Sequence, residues 1–155
     1  MTFPKGDKDM TIALGCDHAG LELKNEIIAH LEANGTQTID CGTYTKESCD
    51  YPVFAEAVAE KVTSKKADLG ILVCGTGIGM SMAANKIKGI RAAALSDCFT
   101  AEATRRHNNA NVLCLGQRAI GAGLALKLVD IFISTPFDGG RHARRVDLIT
   151  KLENR

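Results

Sequence analysis

Leu69-Gly70-Ile71-Leu72-Val73-Cys74-Gly75-Thr76-Gly77-Ile78-Gly79 is a short apolar run that ends in a cysteine and opens into a loop carrying three glycines. A continuous run of Ile, Leu and Val bounded by turn residues reads as a strand buried on both faces, as in a parallel sheet. The glycines let the backbone turn sharply and approach a ligand closely. Successive N–H groups in such a turn, opening onto a helix start, favour bound negative charge. The segment therefore sets a potential base or nucleophile, Cys74, against an anion cradle.

Three familiar glycine motifs fail here. The dinucleotide fingerprint G-x-G-x-x-G is broken because Gly79 arrives one residue early. A P-loop continues Gly-Lys-Ser/Thr, whereas this chain continues Met80-Ser81-Met82. A tyrosine-phosphatase loop places arginine six residues after the cysteine, and that position is Met80.

Working outward, apolar strand-like and helix-like stretches alternate. Strands are expected at Thr11–Gly15, Gln37–Asp40, Leu69–Cys74, Ile90–Leu95 and Asn111–Leu115. Helices are expected at Leu21–Asn34, Pro52–Lys65, Met80–Lys88, Thr100–Arg106, Ala122–Ser134 and Gly140–Glu153. Leu21, Leu23, Ile27, Ile28 and Leu31 have the spacing of a buried helix face, and Asn34-Gly35 supplies a stop. Such alternation argues for a single-domain α/β/α sandwich over a five-stranded parallel sheet, flavodoxin- or Rossmann-like, with expected order 2-1-3-4-5. Residues 10–155 form that domain, and residues 1–9 read as a loose polar leader.

Composition narrows the function. The 155 residues are 45% hydrophobic and 24% charged, with net charge +1, so neither nucleic acid nor a membrane surface is indicated as partner. There is no apolar run of membrane-spanning length and no signal-like N-terminus, so a cytoplasmic protein is expected. Cys16, Cys41, Cys49, Cys74, Cys98 and Cys114 form no C-x-x-C pair and read as reduced thiols rather than disulfides or zinc ligands.

Ligands of open α/β sheets bind beyond the carboxyl ends of the strands. Those ends carry Cys16-Asp17-His18, Cys41-Gly42, Cys74-Gly75-Thr76, Ser96-Asp97 and Gly116-Gln117-Arg118. Strands one and three are neighbours in the expected order, which places Asp17-His18 opposite Cys74-Gly75. Each candidate has a plainer role as well: Cys74 a buried thiol, Asp17 a helix cap, His107 a helix terminus. His107 also opens His-Asn-Asn-Ala-Asn, a composition suited to acid–base chemistry on a polyol. Arg141 and Arg145 lie four apart on one helix face after Gly139-Gly140 and, with Arg118, suit a phosphate. His30 reads as a surface residue, and no set of His, Cys, Asp and Glu has a standard metal spacing.

Gly15-Cys16-Asp17-His18-Ala19-Gly20, Asp50-Tyr51-Pro52, Cys74-Gly75-Thr76-Gly77-Ile78-Gly79, His107-Asn108, Asn111-Val112-Leu113 and Gly139-Gly140-Arg141-His142 resemble, in order, the ribose-5-phosphate isomerase type B family. The resemblance runs from about Met10 to the C-terminus. It implies aldose–ketose isomerisation of ribose 5-phosphate and ribulose 5-phosphate without cofactor or metal, in a homodimer whose site lies at the subunit interface. It further implies Cys74 as the base, Thr76 as an assisting hydroxyl and His107 as the group that opens the sugar ring. Asp17, His18, Tyr51, Gly75, Gly77, Gly79 and Asn108 would contact substrate, and Arg118, Arg141 and Arg145 would hold its phosphate. Six-carbon sugar phosphates, of allose or galactose, are alternative substrates. A flavodoxin-like binding module is a more distant alternative, disfavoured by the absence of tryptophan to stack a flavin and by Cys74 where a receiver domain has aspartate. The extra cysteines fall outside the resemblance; Cys16, next to Asp17, reads as a possible oxidation-sensitive thiol.

Overall fold

The computed structural model describes residues 10–155; the expected leader, 1–9, lies outside the described residues. Five strands, β1 (Thr11–Cys16), β2 (Gln37–Asp40), β3 (Leu69–Cys74), β4 (Ala92–Ala94) and β5 (Val112–Gly116), form one parallel sheet. Six helices accompany them: α1 (Leu21–Ala33), α2 (Tyr51–Thr63), α3 (Ile78–Ala84), α4 (Cys98–Asn108), α5 (Ala122–Ser134) and α6 (Arg141–Leu152). Every expected strand and helix exists, in the expected order along the chain.

The sheet has a buried core on each face. One holds Ile12, Leu14, Ile71, Val73, Leu113 and Leu115 against α1, α4 and α5. The other packs Ala13, Leu72, Val112 and Cys114 against α2 and α3. Central β3 is buried along its whole length, as its uninterrupted apolar sequence demands. Ile71, Leu72 and Val73 are fully excluded from solvent and contribute roughly 1.5–3 kcal/mol each.

The strand order corrects the sequence expectation: it is β2-β1-β3-β5-β4, not 2-1-3-4-5. β5 takes the inner place because Val112–Leu115 presents bulky side chains to both cores, and each of them is fully buried. β4 is left at the edge with three alanines, partly exposed, and is shorter than the expected Ile90–Leu95. Its pairing with β5 lasts only from Ala92 to Ala94. On the outer side, the Asn85 carboxamide accepts from the Ala92 N–H at 2.8 Å and donates to the Ala92 carbonyl at 2.9 Å, imitating a neighbouring strand.

Two further residues behave differently from their sequence reading. His30 is not a free surface group: its Nε2 lies 2.7 Å from Asp130 Oδ1 and ties α1 to α5. Cys16 is buried, and burial pushes its thiol up to about 11, so little reactive thiolate forms there. All six cysteines are free thiols. No helix of the described residues is long and apolar enough to cross a membrane.

Candidate active site

The end of β3 and the loop after it are shaped almost entirely by backbone. Cys74 is only 5% exposed, and the Gly77 amide donates to its Sγ at 3.0 Å. Gly77 reaches that geometry with φ +80, a left-handed conformation that glycine alone adopts without cost. The Gly77 amide fixes the sulfur at the mouth of the loop, the placement a cysteine base requires. Thr76 Oγ1 accepts from the Ile78 amide at 3.2 Å and starts α3.

Neighbouring strand ends clamp this loop. The Cys74 and Gly75 carbonyls accept from the Gln117 and Arg118 amides at 2.9 and 3.0 Å. A side chain at Gly116 would stand 2.7 Å from the Thr76 backbone, so the cradle lies flat on the end of β5. The Arg118 side chain flanks Gly75, its Cδ 3.5 Å from where a Cβ would stand. On the β1 side, the Asp17 amide donates to the Val73 carbonyl at 3.2 Å. Gly20 approaches so closely that a Cβ there would meet the Val73 carbonyl oxygen at 2.5 Å.

Asp17, 7% exposed, accepts from the Ala19 amide at 2.9 Å and so orders the β1–α1 turn; the helix cap itself is Gly20. His18 Nδ1 accepts from the Cys49 amide at 3.3 Å, which ties the β1–α1 turn to the loop before α2. Tyr51, at the start of α2, lays its ring over Gly79, where a Cβ would be 2.8 Å from Cζ. Behind the turn, fully buried Lys24 reaches Asp40 Oδ1 at 2.6 Å and the Thr43 carbonyl at 2.8 Å, fixing the loop after β2. One edge of the sheet thus gathers Cys74, Gly75, Thr76, Gly77, Gly79, Asp17, His18, Tyr51 and Arg118.

His107, Asn108, Arg141 and Arg145 are not brought to that edge. α4 starts just after the C-terminal end of β4 and returns to the N-terminal end of β5. At 1.5 Å per residue, His107 lies about 14 Å along that helix from its first residue, toward the opposite edge. There its ring stacks on that of His142, centroids 4.4 Å apart and planes 15° apart. Asp138 has an oxygen within 4.8 Å of nitrogens on both rings. In nearly parallel rings the in-plane lone pairs run side by side instead of converging, so the trio as arranged suits stacking better than chelation. Arg141 and Arg145 are exposed at the N-terminal end of α6, where the helix dipole also favours an anion.

The asparagines after His107 divide their work in a way composition does not reveal. Arg91 Nε donates to the Asn109 carbonyl at 2.9 Å, and Arg105 Nη1 donates to Asn109 Oδ1 at 3.3 Å and to the Ala110 carbonyl. Asn111 accepts from the Arg91 amide and donates to the Gly89 carbonyl, both at 2.8 Å. Asn109 and Asn111 therefore shape the turn, and Asn108 is the exposed one of the three. Burial holds both guanidiniums below their ordinary value. They border a cavity of about 630 Å³ between Asp68, Lys88 and Glu153, at the edge away from Cys74. Sequence reasoning missed Arg91, Arg105 and Asp138 because each acts through backbone groups or a residue distant in sequence.

A Rossmann-like α/β fold with a thiol seated in an amide cradle at the strand ends defines the class. Within that class, the chain belongs to the ribose/galactose isomerase family, whose model matches residues 12–149. It is 49% identical over 144 residues to ribose-5-phosphate isomerase B of Escherichia coli (strain K12), covering 93% of this chain and 97% of that one. Ribose-5-P isomerase B of Listeria innocua is 42% identical, covering 94% and 99%. The solved ribose-5-phosphate isomerase B of Clostridium thermocellum superposes with TM-score 0.93 at 49% identity, covering 94% and 98%. That of Thermotoga maritima superposes with TM-score 0.91 at 50% identity, covering 92% and 99%.

Proposed function

We propose that this protein interconverts ribose 5-phosphate and ribulose 5-phosphate through an enediolate, as a cytoplasmic homodimer formed by the 10–155 domain. The observation that carries the reading is the Gly77 amide on Cys74 Sγ inside the glycine cradle. Cys74, as thiolate, removes the C2 proton of the open-chain aldose and returns it to C1 on the same face. The developing oxyanion is met by amides of the cradle. Gly77's own amide is committed to sulfur, so Gly75 and Gly79 serve the substrate oxygen. The Thr76 hydroxyl assists the proton exchange between O1 and O2.

Before that step, His107 opens the furanose: the C1–O4 bond breaks, the C1 hydroxyl gives up its proton and O4 receives one. Asp17, His18, Tyr51 and Asn108 hold the sugar, and Arg118, Arg141 and Arg145 hold the phosphate, whose remote binding orients the reacting carbons. The separation of these groups within one chain is the reason for the dimer. A two-fold partner brings its His107, Asn108, Arg141 and Arg145 to the Cys74 edge of the first subunit, and the reverse.

The test is turnover of ribose 5-phosphate in excess EDTA, with allose 6-phosphate and galactose 6-phosphate in parallel. Faster turnover of the pentose supports the assignment, and turnover of a hexose alone overturns it. Loss of activity in Cys74→Ala with an unchanged fold assigns the base.

A further inference from the structure

His107 stands exposed in the last turn of a helix, where an unsupported imidazole samples several rotamers. Acid–base work on a hemiacetal needs that ring held within hydrogen-bond reach of the sugar. One residue outside the cradle packs on it directly, and two more meet at the neighbouring Arg106. His142, in the first turn of α6, covers one face of the ring at 4.4 Å. Asp138 is bound to α4 twice, its amide donating to the Arg106 carbonyl at 3.0 Å and its carboxylate accepting from Arg106 Nε at 3.2 Å through both oxygens. Glu102, one turn back, engages the same guanidinium at 3.2 Å.

We propose that His142 is a positioning residue for His107: clasped onto α4 through Asp138 and Arg106, it holds the His107 ring in the orientation that opens the furanose. This role presupposes the ring-opening assignment of His107 made above. Contact through the ring face restricts rotation while leaving the edge nitrogens free for substrate. The charged groups around His142 are His107 on α4, Arg141 and Arg145 on its own helix, and Asp138 in the preceding connection. Burial first, and then His107, Arg141 and Arg145, hold His142 below the ordinary histidine value, and Asp138 opposes them. A neutral ring at neutral pH does not repel the proton that His107 carries from the C1 hydroxyl to O4, after which His107 is unchanged.

Ribulose 5-phosphate gives a clean separation, because its C5 oxygen is phosphorylated and cannot close a furanose. Exchange of its C1 hydrogen with D2O therefore reports the cradle chemistry without the ring step, whereas turnover of ribose 5-phosphate needs both. His142→Ala is expected to lower kcat on ribose 5-phosphate about tenfold while C1 exchange stays within about twofold of wild type. His142→Phe, which keeps a stacking face, restores most of the loss. His107→Ala, run alongside, shows the same split in larger measure. If His107→Ala shows no split, the ring-opening assignment falls and the proposal with it. If His107→Ala splits and His142→Ala does not, the proposal alone is overturned. Parallel loss of exchange and turnover in His142→Ala also overturns it, since that is the signature of a merely structural residue.

Discussion

The cradle after β3 and the histidine–arginine cluster on α4 and α6 are built from different materials. The cradle is made of main chain: a left-handed glycine, amides on sulfur and carbonyls, and glycines pressed against strand backbone. The cluster is made of side chains reaching from helix ends, held by a stack and a guanidinium–carboxylate clasp. A main-chain site is set by the fold and tolerates almost no change in shape. A side-chain site can be altered at little cost to the fold, and it can serve a neighbouring molecule as readily as its own. The first suits proton abstraction, where ångström-scale placement matters; the second suits capture of a phosphate and the opening of a ring.

The largest expected effect breaks the cradle chemically. Cys74→Ala should lower kcat by about 10³-fold, the usual scale for a lost general base, with a fall in Tm of a few degrees because the buried Gly77 amide loses its acceptor. Next comes its geometry. Gly116→Ala forces a Cβ to 2.7 Å from the Thr76 backbone and should cost about 3 kcal/mol, read by urea denaturation, whereas Arg141→Ala should leave stability within about 0.5 kcal/mol and raise KM. Mixing Cys74→Ala with His107→Ala subunits tests whether the two regions meet across a two-fold. Random reassortment should restore about a quarter of wild-type activity, and no recovery after verified exchange would place both halves within one chain.

The smallest effect sharpens the cluster. By NMR, His142 should titrate below the ordinary histidine value of 6.5, from burial first and then from His107, Arg141 and Arg145. His107→Ala should move it back upward. Because the folded value is the lower one, whatever His142 contributes to stability is present above the unfolded value and is lost as pH falls through that range.

Much of this was legible in the chain itself, for identifiable reasons. Leu69–Cys74 announced a central strand because only a strand buried on both faces is apolar throughout. The position of Asp17 and His18 beside Cys74 followed from where strand ends must lie. The exchange of β4 and β5 was not anticipated, although Val112-Leu113-Cys114-Leu115 carries the same two-faced apolar signal as β3 and Ala92–Ala94 does not. The Asp138–Arg106 clasp joins residues 32 apart through groups that look like ordinary surface charge. The buried placement of Lys24 is equally invisible, since its partners are Asp40 and a carbonyl on another element.

The carboxamide of Asn85 on Ala92 has a consequence for how crowded solutions of this protein behave. A parallel sheet exposes unpaired N–H and C=O groups along its outermost strands, and these are templates for runaway pairing between molecules. Here the outermost strand on one side is three alanines long, and the outward pair of its first residue is already occupied. On the other side β2 carries Gln37, Thr38 and Asp40, and the Asp40 carbonyl accepts from the Tyr44 hydroxyl at 2.9 Å. Short, polar and partly sealed borders leave an aggregating strand little to zip onto, so the sheet resists growing into its neighbours even when molecules are packed closely.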